Sequence, residues 1–222
     1  MTHILPGSTQ FIETIRVSNG MIMLPHLHHQ RMEATCRETF GSFHHPSPTT
    51  IPIPDKYSIG EVKLRIIYSR DEMQWEFIPY SRRPVHSLRI IEASPATDYH
   101  LKYADRTTLN RLHDLRDGCD EVLISISGKP CDTTYTNIIL TDGKRLVTPS
   151  SCLLPGIMRR HLIESGKVAV LPLTNQDLRP GNRYGFTHLL MINAMMPPEA
   201  APCIALENIS FPAIYQKNKH IQ

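Results

Sequence analysis

Leu154-Pro155-Gly156-Ile157-Met158-Arg159 is the stretch that decides how this chain is read. Pro155 and Gly156 let the chain turn tightly, and a helix is expected from Gly156 to Ser165, stopped by Gly166. At such a start the amides of Ile157 and Met158 have no partner inside the helix, and the positive end of its dipole lies beside them. Thr148-Pro149 leads into the turn. The arrangement suits an anion.

Working outward, two more residues precede this helix in a fixed order. Lys102 stands in Leu101-Lys102-Tyr103-Ala104-Asp105-Arg106, after a turn-rich stretch and just before an amphipathic run. Asp132 follows in Cys131-Asp132-Thr133-Thr134-Tyr135-Thr136-Asn137-Ile138. An amine, a carboxylate and a helix N-terminus are the parts that hold pyridoxal 5'-phosphate. The amine bonds the aldehyde, the acid faces the ring nitrogen, and the helix start takes the phosphate.

The remaining pattern is that of an α/β (α+β) protein. Residues 10–17 alternate like a strand, Asn19-Gly20 is a hairpin turn, and Met21–Leu24 returns. Pro25 opens a helix to about Thr39, and Pro46, Pro48, Pro52 and Pro54 mark an extended loop. Strands are expected at Glu61–Ser69, Gln74–Tyr80 and Ser87–Ile91, closing an N-terminal domain over 1–92. A linker over 93–100 leads to a second domain, 101–222. There Ala104–Arg116 reads as a helix with Leu109, Leu112 and Leu115 on one face. Strands follow at Asp120–Ser127, Tyr135–Leu140, Arg145–Val147, Val168–Leu171 and Phe186–Ile192.

Composition narrows the function. A formal charge of +3, without basic blocks, argues against nucleic acid as a partner. No stretch approaches the ~20 apolar residues of a membrane span. Met1–Ser8 shows no secretory leader pattern, and Cys36, Cys119, Cys131, Cys152 and Cys203 fall in no metal-finger spacing. A cytoplasmic protein with reduced thiols is expected. His26, His28 and His29 cluster without the spacing of a zinc helix, and no acidic partner or further thiol completes a ligand set, so no metal is expected.

The motifs together resemble the class IV (fold type IV) pyridoxal-phosphate aminotransferase and aminodeoxychorismate lyase family, from about residue 10 to about 205. The resemblance implies a two-domain fold, a small N-terminal α+β domain and a larger mixed-sheet domain. It makes Lys102 the cofactor lysine and Asp132 the ring-nitrogen partner, where the family has the longer glutamate. Asn137 belongs to that same segment. Gly156, Ile157 and Met158 become the phosphate cradle. Arg31, in His26-Leu27-His28-His29-Gln30-Arg31, resembles the family's phosphate arginine. Thr14, in Phe11-Ile12-Glu13-Thr14-Ile15-Arg16, occupies the substrate-side strand. Asn193 and Ala194 open the lyase branch's Asn-Ala-(Leu/Met)-x-Pro loop, here Asn193-Ala194-Met195-Met196-Pro197.

The implied substrate is a small anionic amino compound, for which Arg16, Arg65, Arg82 and Arg83 are available, and the implied assembly is a homodimer. Arg106, the Asn193 loop and Thr107, where aminotransferases carry a tyrosine, favour the lyase branch. That branch eliminates pyruvate from aminodeoxychorismate and leaves 4-aminobenzoate, a folate precursor. The alternatives are an amino-acid aminotransferase of branched-chain or D-amino acid type and a family member that only binds ligand. Asp132 and the few residues ahead of the Phe11 strand point to that last reading.

Overall fold

The computed structural model describes residues 9–212, so the Met1–Ser8 segment discussed above lies outside them. The chain forms two compact units. One runs to Arg82 and takes in Leu101–Arg106; the other comprises Arg83–His100 and the chain from Thr107 onward.

In the first unit, β1 (Phe11–Ser18) alternates strictly, turning Phe11, Glu13, Ile15 and Val17 inward. Asn19 and Gly20 both take positive φ, as a tight hairpin turn requires, and β2 (Met21–Ile22) follows. Pro25 starts α1 (Pro25–Phe40), and Gly41, at φ 77°, ends it. β3 (Glu61–Tyr68) and β4 (Met73–Pro79) complete an antiparallel sheet in the order β2-β1-β3-β4. The Pro-rich loop contains two short 3-10 turns, Pro48–Thr50 and Asp55–Tyr57. Phe11, Ile15, Met32, Cys36, Leu64, Ile66 and Tyr68 form the core.

The segment carrying Lys102 is stitched to the start of β1. The Ile12 amide donates to the Lys102 carbonyl at 2.9 Å, and the Ala104 amide to the Gln10 carbonyl at 2.9 Å. Phe11 clasps this segment from inside, its ring 5.3 Å from that of Tyr103 and 5.7 Å from that of Tyr68.

The second unit contains β5 (Leu88–Glu92), α2 (Thr107–His113), β6 (Glu121–Ile126), β7 (Lys129–Thr133), β8 (Asn137–Thr141), β9 (Leu146–Pro149), α3 (Ile157–Glu164), β10 (Ala169–Leu171), β11 (His188–Ile192), β12 (Cys203–Ala205) and β13 (Ile209–Ser210). Its mixed sheet runs β10-β9-β8-β7-β6-β5-β13, with β11 also paired to β8 and carrying β12. β8 is buried along its whole length, as suits a strand with three neighbours.

These limits differ from the division at residues 92 and 101 expected above. β5 pairs in parallel with β6 and β13, so the strand assigned to the first domain belongs to the second unit's sheet. Residues 93–100 belong to that unit as well, whereas Lys102 lies in the first. β7 was not expected at all: Lys129, Pro130 and Asp132 are weak strand formers, and its pairing to β6 and β8 overrides them. Leu115 is 56% exposed rather than in line with Leu109. Positions three apart drift around a helix of 3.6 residues per turn, and α2 gives way to a 3-10 turn at Asp114.

Replacing Phe11 by alanine is expected to destabilise the protein by about 3–5 kcal/mol, as for other buried aromatics. Denaturant unfolding of the two proteins side by side measures it. Because Phe11 also backs Tyr103, protease cleavage near residue 103 should accelerate in the variant.

Candidate active site

In the second unit the candidate residues gather around Asp132. The register sets Asp132 opposite Asn137 across β7 and β8. A tight turn joins them, closed by the Thr133 and Thr136 hydroxyls at 2.7 Å. The Asn137 side-chain amide donates to Asp132 Oδ1 at 2.8 Å and to the Leu154 carbonyl at 2.9 Å. Asp132 Oδ2 accepts the amides of Leu153 and Leu154 at 3.0 and 2.9 Å. The loop ahead of α3 is thus tied to the end of β7. Burial pushes the Asp132 carboxyl up, and these hydrogen bonds hold the rise to about 6.

Gly156 follows from this packing. A Cβ there would lie 2.0 Å from Asn137 Oδ1, so only glycine fits while Asn137 keeps its place. Gly156 is the N-cap of α3; no side chain caps it and no acid lies in the first turn. Arg159 is drawn back onto β9, donating from Nε to Thr148 Oγ1 at 3.2 Å and from Nη2 to the Pro149 carbonyl at 2.8 Å. The start of α3 at Ile157 and Met158 is therefore a donor surface without an acidic competitor, which fits a phosphate.

The loop after β11 is equally well ordered. Asn193 Oδ1 accepts the amides of Met195 and Met196 at 2.9 and 3.1 Å, and Asn193 Nδ2 donates to the Tyr135 carbonyl at 3.3 Å. Asn193 therefore turns its own loop, with Ala194 at the bend, and fastens it to the Asp132–Asn137 turn.

The first unit holds Lys102, Thr14 and Arg31. Thr14 alternates to the face of β1 opposite Glu13. Arg31 grips Glu13 side-on, Nε to Oε1 at 2.7 Å and Nη2 to Oε2 at 2.6 Å. His28 meets the same carboxylate, Nδ1 to Oε2 at 2.6 Å. Glu13 is therefore an acidic partner of His28, where the sequence reading found none for the histidine cluster. Burial pushes the Glu13 carboxyl up, but the Arg31 charge and the bonds from His28 and Arg31 outweigh it and bring it to about 2. Burial lowers the pKa of His28 against the pull of Glu13, and the charges of Arg31 and Lys102 lower it further.

Glu13 and His28 went unassigned in the sequence, yet a signal was present. An acid in the inward row of an alternating strand needs a buried cation, and Arg31 and His28, three apart on one helix, share a face. The arginines expected to be available for substrate are all in ion pairs: Arg16 and Arg82 with Glu61, Arg65 with Glu76, and Arg83 with the fully buried Glu121.

Residues 10–198 match the family described as amino-transferase class IV. An uncharacterized protein of Haemophilus influenzae is 30% identical over 188 residues, covering 82% of this chain and 96% of that protein. A candidate 4-amino-4-deoxychorismate lyase of Haemophilus somnus superposes with a TM-score of 0.73 at 24% identity, over 86% of this chain and 98% of that one. A hypothetical aminotransferase of Mycobacterium tuberculosis, in a form bound to α-ketoglutarate and PMP, gives a TM-score of 0.67 at 16% identity, over 97% and 90% of the two chains. The shared fold is the expected one. Among the described residues no helix is long and apolar enough to cross a membrane.

Gly156→Ala should lower the thermal midpoint sharply, since Asn137 must leave the bonds that hold the Leu153–Leu154 loop; an overpacked core position costs on the order of 1–3 kcal/mol. Scanning calorimetry checks it, and adding Asn137→Ser should not restore the midpoint because Asp132 then loses a donor. Acid should destabilise the wild type in two stages. His28, held below 6.5, favours the unfolded chain as pH falls through that value. Glu13 contributes fully above 4.5 and loses its contribution as pH falls toward 2. Asp132, raised from 3.8 to about 6, works the other way and favours the folded chain on acidification across that window. Thermal midpoints from pH 7 to pH 3 should therefore fall, and fall more steeply between pH 6 and 4 in Asp132→Asn.

Proposed function

The chain belongs to the amino-transferase class IV family, and from that premise we propose that it is a pyridoxal 5'-phosphate-dependent lyase that eliminates pyruvate from aminodeoxychorismate to give 4-aminobenzoate. The observation that carries this reading is Lys102 in the family's cofactor-lysine segment, within a match spanning residues 10–198. When bound, the cofactor supplies an electron-withdrawing ring that stabilises negative charge on the substrate carbon.

In this reading Lys102 provides the amine that anchors the cofactor and then carries a proton at Nζ as base and acid in turn. Asp132, the family's acid shortened by one methylene, would hold the ring nitrogen as a hydrogen-bond acceptor. Three of its roughly four lone-pair positions already accept protein donors, which leaves one. The same bonds lock its direction. Ile157 and Met158 would hold the phosphate through their amides and Arg31 through its guanidinium, and Gly156 and Asn137 set the turn that presents those amides. Asn193 and Ala194 would approach the phosphate or the substrate, and Thr14 would contact the substrate. The protein is proposed to work as a cytoplasmic homodimer in the supply of a folate precursor.

Arg106, Thr107 and the Asn193-Ala194-Met195-Met196-Pro197 loop favour elimination over transamination. The M. tuberculosis protein's PMP and α-ketoglutarate keep an amino-acid aminotransferase as the second reading.

Visible absorption of the purified protein with added pyridoxal phosphate, wild type beside Lys102→Ala, tests the cofactor. A band that requires Lys102 is expected; its absence from both proteins would leave a fold that only binds ligand. Pyruvate release from aminodeoxychorismate then separates the branches: keto-acid formation from branched-chain or D-amino acids without pyruvate release would overturn the lyase assignment.

A further inference from the structure

We infer that Glu13, with His28 behind it, is a positioning residue that fixes the direction in which Arg31 meets the cofactor phosphate. The inference rests on the pyridoxal-phosphate reading above and adds to it two residues that lie inside the quoted motifs but were given no role there.

Glu13 occupies a place where a carboxylate is expensive. It is 0% exposed and stands in the inward row of β1 between Phe11 and Ile15, both also 0% exposed. Apolar side chains of similar volume in such positions are commonly as stabilising as a buried ion pair, or more so. His28 adds to the cost. Its ring is buried, Nδ1 is committed to Glu13, and Nε2 has no hydrogen-bond partner. A buried polar atom left unpaired costs about 1–3 kcal/mol. Stability alone does not account for an acid, an imidazole and a guanidinium gathered under one strand.

The geometry supplies the reason. Glu13 occupies the Nε/Nη2 edge of Arg31 with two short parallel bonds. An anion held by Arg31 must then meet the guanidinium away from that edge, in a direction set by β1 rather than by the rotamers of a long side chain. His28 holds the second oxygen of the carboxylate against rotation. With its own protonation disfavoured by burial and by the charges of Arg31 and Lys102, it adds no cation of its own. The charged and titratable groups facing this cluster are Arg31 and His28 on α1, Glu13 on β1, Tyr68 on β3 and Lys102 beside β1.

The test compares pyridoxal phosphate with pyridoxal, which has the aldehyde and ring but no phosphate. Equilibrium titrations of the visible band are made on full-length wild type, Glu13→Gln, Arg31→Lys and the double variant. Glu13→Gln should weaken pyridoxal phosphate about tenfold, the scale of a charge-assisted hydrogen bond, and leave pyridoxal unchanged. The double variant should be no weaker than Arg31→Lys alone. Unchanged affinity for pyridoxal phosphate, or equal losses for both ligands, overturns the inference while the cofactor reading stands. A wild type that binds neither ligand overturns both. If Glu13→Gln does not fold, Glu13→Asp, which keeps the charge but draws it back by one methylene, and His28→Asn carry the same comparison. Each should show a smaller loss confined to the phosphate-bearing ligand.

Discussion

The cluster of candidate residues in the second unit depends on the absence of one carbon atom. Asn137 bridges Asp132 and the Leu154 carbonyl only because residue 156 has no Cβ to displace it. With that bridge in place, the Leu153 and Leu154 amides turn onto Asp132, the chain is delivered to the start of α3 at a fixed angle, and the helix begins without a side-chain cap. Asn193 fastens its loop to the same turn through the Tyr135 carbonyl. Strand end, helix start and loop are thus one hydrogen-bonded assembly with a glycine at its tightest point.

The two buried carboxylates show how partner type sets charge. Glu13 and Asp132 are both shielded from water, and each accepts hydrogen bonds from three protein nitrogens. Glu13 faces a guanidinium and falls to about 2; Asp132 faces neutral amides and rises to about 6. Neutral donors offset part of the desolvation of a carboxylate, whereas a full positive charge in contact more than offsets it. One acid is fixed as an anion across physiological pH, while the other lies close enough to neutrality to respond to what approaches it.

Much of this was legible in the sequence, because local rules and tertiary structure agree there. The alternation of β1, the Asn19-Gly20 turn, the proline and glycine that bracket α1 and the Gly156 helix start all follow from backbone preferences and period. The failures came where long-range pairing decides. β5 reads like its predecessors but finds parallel partners in β6 and β13, and parallel pairing leaves no turn signature between strands. β7, with its proline and charged residues, is a strand only because β6 and β8 flank it. Glu13 was passed over because it was read as part of a motif rather than as a charge in an apolar row.

The route of the chain has a consequence for biosynthesis. The first unit is discontinuous: β1 meets β2 only at Val17 and Ser18 on one side, and residues 101–104 cover the start of that edge. A nascent chain that has emerged only as far as Arg82 has all four strands of the small sheet but nothing to occupy the backbone groups near Gln10 and Ile12. Until the Lys102 segment emerges, that stretch is an open strand edge, the surface on which chains add to one another. Lys102, the proposed cofactor lysine, thus lies in the segment that ends this exposure. Slow synthesis or truncation between residues 82 and 101 would leave a sticky intermediate instead of a folded half.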